Sequence, residues 1–417
     1  MTEKSIYKIG VVAKEQDDFT NSIPMALNRK CYQLLRKQKD LISQYNLAKK
    51  WDKYKKFMNS YELVFTSSNG FPNISFYTPI SRSFFKMWEI LHDFKNELPQ
   101  GLSDPSVKFK SCSVAEGPGG FIEAIVKFRK DVIKAPPSQG NYYGMTLISP
   151  NKNIPNWKLS REFISNNNIT LCYGEDGTGS LYKMENIERL CTLTGFSSCD
   201  LVTGDGGFDY SNDFNEQEEA SLPLLLCETL VAIKIQKCGG AFILKIFDIS
   251  QAHMFQLMYL LHQMYGNVYI TKPFSSRPAN SEKYVVCTDF KGRQQEYENL
   301  LTSVVTEGLK HLITVPVCFL KDLVFYNTHY TAQQIVSIAR TIDFIDACED
   351  SNQHSSDIMQ TVKKQIECAL RWCYKYRLPV NIASLDAYKH FLIRGKHTCS
   401  SCIYGNCRAE QLESDFV

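Results

Sequence analysis

Residues 107–129 read VKFKSCSVAEGPGGFIEAIVKFR, and this stretch decides the fold. Val107–Ser113 has the composition of a strand, and Gly120–Arg129 has the apolar spacing of a helix. The turn between them, VAEGPGGF at 114–121, contains three glycines that let the backbone bend sharply and approach a ligand. The helix that begins behind this turn favours a carboxylate or a phosphate at its start. A strand, a glycine turn and a helix in this order are typical of an α/β fold.

Strands and helices continue to alternate from about Phe76 to Phe290. Further strands are predicted at Tyr142–Ile148, Ile169–Tyr173, Cys199–Thr203, Gly240–Phe247, Asn267–Thr271 and Glu282–Thr288. Helices are predicted at Leu222–Lys237 and Met254–Tyr265. This alternation indicates right-handed βαβ units, and therefore a largely parallel sheet that helices cover on both faces.

After about Lys291 the pattern becomes mostly helical. Periodic segments at Thr331–Ile342 and Ser356–Lys375 predict two helices, with a polar, loop-like stretch at Glu349–Ser356 between them. We therefore divide the chain into three consecutive parts. They are a basic helical N-terminal extension (1–75), an α/β domain (76–295) and a mostly helical C-terminal extension (296–417).

The composition is that of an ordinary globular protein, with 417 residues of which 44% are hydrophobic and 22% charged. These proportions exclude a disordered chain, and no repeat period indicates a solenoid. No run of about 18 apolar residues predicts a membrane span, and Met1–Lys14 lacks the apolar stretch of a signal peptide. The 15 cysteines are scattered, which is typical of reduced thiols. We expect a soluble intracellular protein of the cytoplasm or nucleus, or of a virion or viral factory if the source is a virus.

The net charge of +3 is unevenly distributed along the chain. Between Arg29 and Lys56, ten basic and two acidic residues give this segment a charge of +8, which leaves −5 for the rest. Aromatic residues such as Tyr45 and Trp51 are interleaved, and the apolar spacing is helical. Two interpretations stay open here: a solvated helix face, or a surface that meets RNA phosphates.

The glycine turn alone leaves three interpretations open. It suits a dinucleotide, S-adenosylmethionine, or a tight bend with no ligand. The Gly-x-Gly-x-x-Gly spacing of dinucleotide sites is absent, and Pro118 lies inside the loop. This difference disfavours nicotinamide cofactors.

Four charged residues are candidates for a catalytic role. Asp205 follows an apolar strand in LVTGDGGF (201–208), and Lys245 lies inside the apolar run FILKIFD (242–248). A lysine in a buried strand is rare unless it is paired or functional, and a nearby cation lowers its pKa. Lys86 in SRSFFKMWEI (81–90) and Glu282 in SSRPANSEKYVVC (275–287) are weaker signals. Each of the four also has a structural alternative. Asp205 is then a loop cap, and Lys245 is a lysine that extends from a strand end to solvent. Lys86 is then a surface lysine, and Glu282 merely opens a strand.

Together these residues resemble the Lys-Asp-Lys-Glu tetrad of the FtsJ-like ribose 2′-O-methyltransferases. The order of Lys86, the glycine turn, Asp205, Lys245 and Glu282 is similar to that family, and most similar to its mRNA cap branch. The segments VAEGPGGF (114–121), GMTL (144–147), DGGF (205–208) and SRPANSE (276–282) look like its signatures. The resemblance covers roughly Thr78 to Thr288, about half of the chain. It implies a Rossmann-like fold with a mostly parallel, seven-stranded sheet and helical extensions.

The resemblance also implies a cofactor and its contacts. S-adenosylmethionine is expected to contact Glu116, Gly117, Pro118, Gly119, Gly120, Phe121, Thr146, Leu147 and Asp205. The RNA is expected to contact Arg82, Arg277, Asn280 and Ser281. Relatives often carry an aspartate facing the adenine, where this chain has Ser180, and nearby Asp176 is the candidate substitute.

The implied reaction is methyl transfer to the ribose 2′-hydroxyl of the first transcribed nucleotide of 7-methylguanosine-capped RNA. Lys245 is expected to be neutral, because Lys86 stands beside it in a partly dry pocket, and to take the hydroxyl proton. Asp205 and Glu282 are expected to orient the two lysines. The expected partners are capped mRNA and other capping or transcription proteins, with no membrane. The alternatives are methylation of ribosomal or transfer RNA ribose, or an inactive RNA-binding subunit of a capping complex.

A cluster of possible metal ligands lies near the C-terminus. His397, Cys399, Cys402 and Cys407 have spacings that a tetrahedral zinc site uses. No second pair flanks them and the tail is polar, so a tail with free thiols is the alternative. The reaction itself requires no metal, and none is assigned to the site.

Overall fold

The computed structural model of this protein describes residues 5–9, 22–47, 50–66, 71–151, 153–207, 215–309, 312–349 and 354–389. Within these residues, eight strands form one sheet in the order β1-β7-β8-β6-β5-β2-β3-β4. The strands are β1 (Ile6–Ile9), β2 (Phe109–Val114), β3 (Gly140–Met145), β4 (Ile169–Cys172), β5 (Cys199–Gly204), β6 (Gln236–Ile246), β7 (Tyr265–Thr271) and β8 (Lys283–Phe290).

The centre of the sheet is parallel. β4, β3, β2, β5 and β6 pair in parallel, whereas β8 runs antiparallel between β6 and β7. The predicted Rossmann-like fold class is therefore confirmed. The predicted number of seven strands is wrong for the described residues, because Ile6–Ile9 adds an eighth strand antiparallel to β7. Four residues are too few to show a strand period in the sequence, so this edge strand escaped prediction.

Helices pack against the sheet and make up most of the C-terminal part. Within the described residues they are α1 (Ser22–Leu47), α2 (Lys50–Tyr54), α3 (Ser83–Asp93), α4 (Gln100–Ser103), α5 (Gly120–Lys127), α6 (Arg161–Asn166), α7 (Met184–Thr194), α8 (Gln217–Ile235), α9 (Ala252–Met264), α10 (Gln295–Glu307), α11 (Val317–Glu349), α12 (His354–Lys375) and α13 (Ile382–Ala387). A π-helical turn at Phe128–Val132 continues α5 directly. The predicted helix at Thr331–Ile342 is part of the much longer α11.

Residue contacts group the chain into two compact units. The first comprises residues 1–36, 80–273 and 281–332 and contains the sheet. The second comprises residues 37–79, 274–280 and 333–417. In the second unit, Ser75 forms a β-bridge with Val380, and Gln365 donates a hydrogen bond to the backbone oxygen of Asn59. Each unit thus joins separated stretches of sequence, whereas the predicted division takes consecutive ones (1–75, 76–295 and 296–417).

Two further sequence expectations concern the environment of the chain. Among the described helices, none combines the length and the apolar character needed to cross a membrane. The cysteines that the structure describes are all free, and most are buried. Burial raises the pKa of the Cys112 and Cys287 thiols well above the usual value, which keeps them protonated.

The central strand β6 carries Lys245 and depends on the core beneath it. Leu244 is 0% exposed, so Leu244→Ala is expected to lower the free energy of unfolding by about 3 kcal/mol. Leu193→Ala on α7 is the matched control, because Leu193 is 36% exposed and its truncation should cost less than about 1 kcal/mol. Urea denaturation measures both changes. Equal losses in the two variants would contradict the central position of β6.

Candidate active site

Three of the four charged residues predicted from the sequence lie at one edge of the sheet. Asp205 directly follows β5, and Lys245 is the second-last residue of β6. Glu282 directly precedes β8, which runs antiparallel to β6 with Lys283 opposite Ile246. The three residues therefore share the edge where the parallel strands end. In open α/β sheets this edge forms the ligand crevice.

Two ion pairs unite these residues with Lys86, the fourth. Lys86 Nζ lies 2.7 Å from Glu282 Oε2, and Lys245 Nζ lies 3.2 Å from Asp205 Oδ1. Lys245 Nζ also donates a hydrogen bond to the backbone oxygen of Asp205 at 2.7 Å. The four side chains are between 11% and 16% exposed, so the group is largely desolvated but open to a ligand. The structure thus brings together all four members of the tetrad.

Lys86 reaches this group because α3 is fixed against α5. Glu123 Oε2 of α5 accepts a hydrogen bond from the Ile80 backbone N–H at 2.9 Å, just before α3 begins. At the start of α5, a Cβ on Gly120 would lie only 2.4 Å from Ser81 Oγ and 2.3 Å from Ser83 Oγ. Only glycine permits this approach. The glycine therefore sets the position of α3, and Lys86 lies on its first turn.

The rest of the glycine turn is also held by the chain itself. The backbone N–H of Gly117 donates to Thr146 Oγ1 at 3.0 Å, and a Cβ on Gly117 would lie 2.1 Å from the Pro155 oxygen. Gly119 has a φ of 118°, a conformation that favours glycine. Glu116 Oε1 accepts a hydrogen bond from the Phe121 N–H at 2.6 Å. These glycines are thus required by internal packing and backbone conformation, whatever ligand the turn meets.

The charges of the two pairs affect one another. Burial by itself would raise the pKa of Glu282, but Lys86 and Lys245 outweigh it and hold this pKa at about 2. Burial by itself would lower the pKa of Lys245, but Asp205 and Glu282 outweigh it and raise this pKa above its usual value. The expectation of a neutral Lys245 is therefore wrong for the chain alone. The ammonium of Lys86 pairs with Glu282, and carboxylates dominate the surroundings of Lys245.

Sequence reasoning missed two residues that contact the tetrad, the buried Tyr284 and the partly buried Lys272. Tyr284 lies opposite Lys245 in the β6–β8 ladder, and its hydroxyl donates to Asp205 Oδ1 at 3.2 Å. Lys272 follows β7 and donates a hydrogen bond to the backbone oxygen of Glu282 at 2.7 Å. Burial and the nearby ammonium of Lys283 lower the pKa of Lys272 to about 7. The rule that found Asp205, a charge directly after an apolar strand, would also have found Lys272.

This arrangement has a counterpart among known families. A family model for FtsJ-like methyltransferases matches residues 79–290, which is half of the chain and includes both ion pairs. The chain belongs to the FtsJ-like methyltransferase family. The resemblance found in the sequence is thereby confirmed.

Curated relatives of this FtsJ-like chain bear the name cap-specific mRNA (nucleoside-2′-O-)-methyltransferase 1. The protein of Trypanosoma brucei brucei is 33% identical over 212 residues, which cover 50% of this chain and 54% of that protein. The Xenopus laevis protein is 29% identical over 358 residues, covering 78% of this chain and 40% of that protein. The Leishmania braziliensis protein is 35% identical over 195 residues, covering 45% and 46%. The chain spans about half of the length of these relatives, or less.

The other predicted cofactor contacts of the FtsJ-like domain surround the glycine turn. Thr146 and Leu147 follow β3, and the side chain of Leu147 is 38% exposed. The backbone oxygen of Pro118 accepts a hydrogen bond from the Lys158 N–H at 3.0 Å. The ring of Phe121 is fully buried against Tyr284, so its side chain belongs to the core. A contact of Phe121 with a ligand is therefore restricted to its backbone.

The four predicted substrate contacts have different surroundings. Arg82 immediately precedes α3 and is partly exposed. In the second unit, Arg277 forms a bidentate pair with the buried Glu62, with nitrogen–oxygen distances of 2.7 and 3.1 Å. Asn280 Oδ1 lies 3.3 Å from Ser276 Oγ. Ser281 is buried, and its hydroxyl donates to Asp248 Oδ2 at 3.1 Å. These bonds hold the side chains of Arg277, Asn280 and Ser281 within the chain itself. Contact of the four residues with RNA stays a prediction.

The loop after β4 contains the candidate adenine-facing residues. Asp176 Oδ1 accepts hydrogen bonds from Thr178 and Asn186, and Asp176 Oδ2 pairs with Lys183 at 2.6 Å. Bonds to Lys183 and Thr178 hold the pKa of Asp176 well below its usual value. Both oxygens of Asp176 are thus used inside the loop. Ser180 is partly exposed, and its carbonyl accepts a hydrogen bond from Asn186 at 3.0 Å.

Within the described residues, no group of three or more His, Cys, Asp or Glu side chains is suited to hold a metal ion. The possible zinc ligands His397, Cys399, Cys402 and Cys407 lie outside the described residues. Zinc binding by the C-terminal cysteines stays a prediction.

The low pKa of Glu282 has a measurable effect on stability. A carboxyl whose pKa is depressed on folding stabilises the protein above its ordinary pKa of 4.5, and this stabilisation is lost as the pH falls toward 2. Glu282→Gln is expected to be less stable than the wild type at pH 7, with a difference that shrinks between pH 4.5 and pH 2.5. Urea denaturation across this range measures the effect. The exposed Glu175→Gln is the control, and a pH-independent difference for Glu282→Gln would contradict the pairing.

Proposed function

We propose that this chain transfers a methyl group from S-adenosylmethionine to a ribose 2′-hydroxyl of RNA. The observation that carries the proposal is the pairing of Lys86 with Glu282 and of Lys245 with Asp205 beside the glycine turn. In this arrangement the carboxylate and the backbone oxygen of Asp205 hold Lys245 in place, at the edge of the sheet where ligands bind. Methyl transfer to a hydroxyl needs little more than such positioning and a proton acceptor.

The charges around the glycine turn favour a cationic cofactor. Glu116 is buried, and its Oε2 has no hydrogen-bond partner among the described residues. Burial raises the pKa of Glu116, and the negative charge of Asp205 raises it further. The raised pKa keeps Glu116 protonated in the chain alone, so it is the negative charge of Asp205 that disfavours a pyrophosphate and suits a positively charged ligand. When bound, S-adenosylmethionine supplies a methyl group on a positively charged sulfur. Gly117, Gly119 and Gly120, with Thr146 and Leu147, would hold it.

Lys245 is the proposed general base. In the chain alone it is an ammonium, so it must lose its proton before it can accept one from the ribose hydroxyl. A cation bound in the crevice offsets part of the negative charge of Asp205 and Glu282, and this lowers the pKa of Lys245. Asp205 holds the amine through its carboxylate and its backbone oxygen, so the amine remains in place when it becomes neutral. Lys86 keeps Glu282 paired throughout.

The names of the relatives support capped mRNA as the substrate. We propose that the acceptor is the first transcribed nucleotide of RNA with a 7-methylguanosine cap. A basic face of α1 supports binding to RNA. Four basic side chains recur on it at a seven-residue spacing and are exposed: Arg29, Lys30, Arg36 and Lys37. A spacing of seven residues places side chains on one side of a helix.

A methyl-transfer assay on matched RNAs tests the function. We expect transfer to capped RNA, weak or no transfer to uncapped RNA, and a loss of at least about a hundredfold in Lys245→Met. Cofactor binding, measured by calorimetry, should persist in this variant, and Lys130→Met at an exposed site is the control. Equal transfer to uncapped ribosomal RNA would point to the second substrate class. No transfer by the wild type would point to an RNA-binding subunit.

The basic face of α1 is tested by charge reversal. Replacement of four residues by Glu should weaken RNA binding, namely Arg29, Lys30, Arg36 and Lys37. The slope of log affinity against log salt is negative, and it should become less steep by about 3. The control reverses four exposed lysines outside α1, namely Lys95, Lys108, Lys130 and Lys134. Fluorescence anisotropy at several salt concentrations measures the slopes. An unchanged slope would mean that this face is only solvated.

A further inference from the structure

A further carboxyl group, that of Glu228, lies against the tetrad on α8. Glu228 is 0% exposed, and its Oε1 accepts a hydrogen bond from the backbone N–H of Gly206 at 3.0 Å. Its Oε2 is equally buried and has no hydrogen-bond partner among the described residues. A buried carboxyl group with one bare oxygen is costly as an anion and much less costly as a neutral acid.

The Glu228 carboxyl group occupies the space beside both glycines that flank Asp205. A Cβ on Gly204 would lie 2.8 Å from Glu228 Cδ, and a Cβ on Gly206 would lie 2.6 Å from Glu228 Oε1. The sequence Gly204-Asp205-Gly206 is therefore shaped by this side chain. Glu228 supports the turn that directs the Asp205 carboxylate and backbone oxygen toward Lys245.

Several ionisable groups face Glu228 from the surrounding elements. Asp205 comes from the turn after β5, Lys245 from β6 and Tyr182 from the segment before α7, and Cys227 adjoins it on α8. Burial raises the pKa of Glu228 to about 8, although Lys245 and the Gly206 amide counteract part of this effect. Burial also raises the pKa of Tyr182 and of Cys227 to about 12, so both remain neutral. Lys245 and Asp205 are thus the charges to which Glu228 is coupled.

We propose that Glu228 is a positioning residue for methyl transfer, which holds the Asp205 turn as a neutral acid and so keeps a third negative charge away from Lys245. This inference rests on the proposed function, since it assigns a role in preparing Lys245 as the base. An ionised Glu228 is one of the groups that raise the pKa of Lys245, beside Asp205 and Glu282, and it makes the proton of Lys245 harder to remove. A protonated Glu228 provides the same hydrogen bond to Gly206 without that penalty.

Glu228→Gln is the decisive variant, because an amide oxygen accepts the Gly206 hydrogen bond and cannot ionise. We expect its maximal rate to lie within about twofold of the wild type. The rising limb of its pH–rate profile should move to lower pH by about one unit, since no anion forms beside Lys245. Glu228→Leu lacks the acceptor, and its kcat should fall at least about tenfold with little change in the KM for the cofactor.

A second measurement does not depend on methyl transfer. A carboxyl whose pKa is raised on folding stabilises the protein below its ordinary pKa of 4.5, and this stabilisation is lost as the pH rises toward 8. The wild type should therefore lose stability relative to Glu228→Gln between pH 5 and pH 8.5 in urea denaturation. This comparison remains informative if Glu228→Leu does not fold.

The control is Glu298→Gln. Glu298 is another buried glutamate, but it pairs with Lys234 at 2.9 Å and also with Arg293, away from the tetrad. Its loss should change stability without moving the pH–rate profile.

Superimposable profiles for the wild type and Glu228→Gln would overturn the inference, as would full kcat in Glu228→Leu. If the wild type transfers no methyl group to any RNA, the proposed function fails, and the unfolding comparison still tests whether Glu228 is protonated.

Discussion

The structure depends on the mutual compensation of charges that are buried at one edge of the sheet. Each of Lys86, Asp205, Lys245 and Glu282 would be costly to bury alone, because the desolvation of a single ion exceeds what a folded domain can offset. Placed as two pairs, with distances of 2.7 and 3.2 Å, they make each other's charge tolerable. The compensation works only when the ends of β5 and β6 and the starts of α3 and β8 lie at the same place. The topology of the sheet and the chemistry of the site therefore impose the same requirement on the chain.

Much of the fold was predictable because it rests on local patterns. The strands around Leu201 and Val285 are short runs of mostly apolar residues, and buried strands read in this way. Predicted boundaries failed where one element runs directly into the next. β6 begins at Gln236, four residues before the predicted start at Gly240, because no loop separates it from α8. The edge strand β1 was missed because it is stabilised by pairing with β7, which a local pattern does not record.

The members of the tetrad were assigned from their order along the chain and the family resemblance that this order carries, but their protonation was not predictable. The pKa of Lys245 depends on Asp205, Glu282 and Glu228, which come together only in the folded chain. Glu228 stands in the apolar run LLLCETLVAI, where a single acid was an available signal that sequence reasoning did not use. Arg277 shows the opposite limit. Its position suggested a phosphate contact, whereas its guanidinium pairs with Glu62, 215 residues earlier in the chain.

The fit between Glu228 and the two glycines has a consequence for the evolution of the chain. A methyl group at position 204 or 206 would collide with the carboxyl group of Glu228, as long as that side chain keeps its size. Alanine at position 204 thus requires that a smaller residue first replaces Glu228. Alanine at position 206 also requires that Leu224 moves, because Leu224 Cδ2 would lie 2.5 Å from the added Cβ. That first replacement removes the acceptor for the Gly206 amide while the glycines are still present. The three positions are therefore expected to change together or not at all.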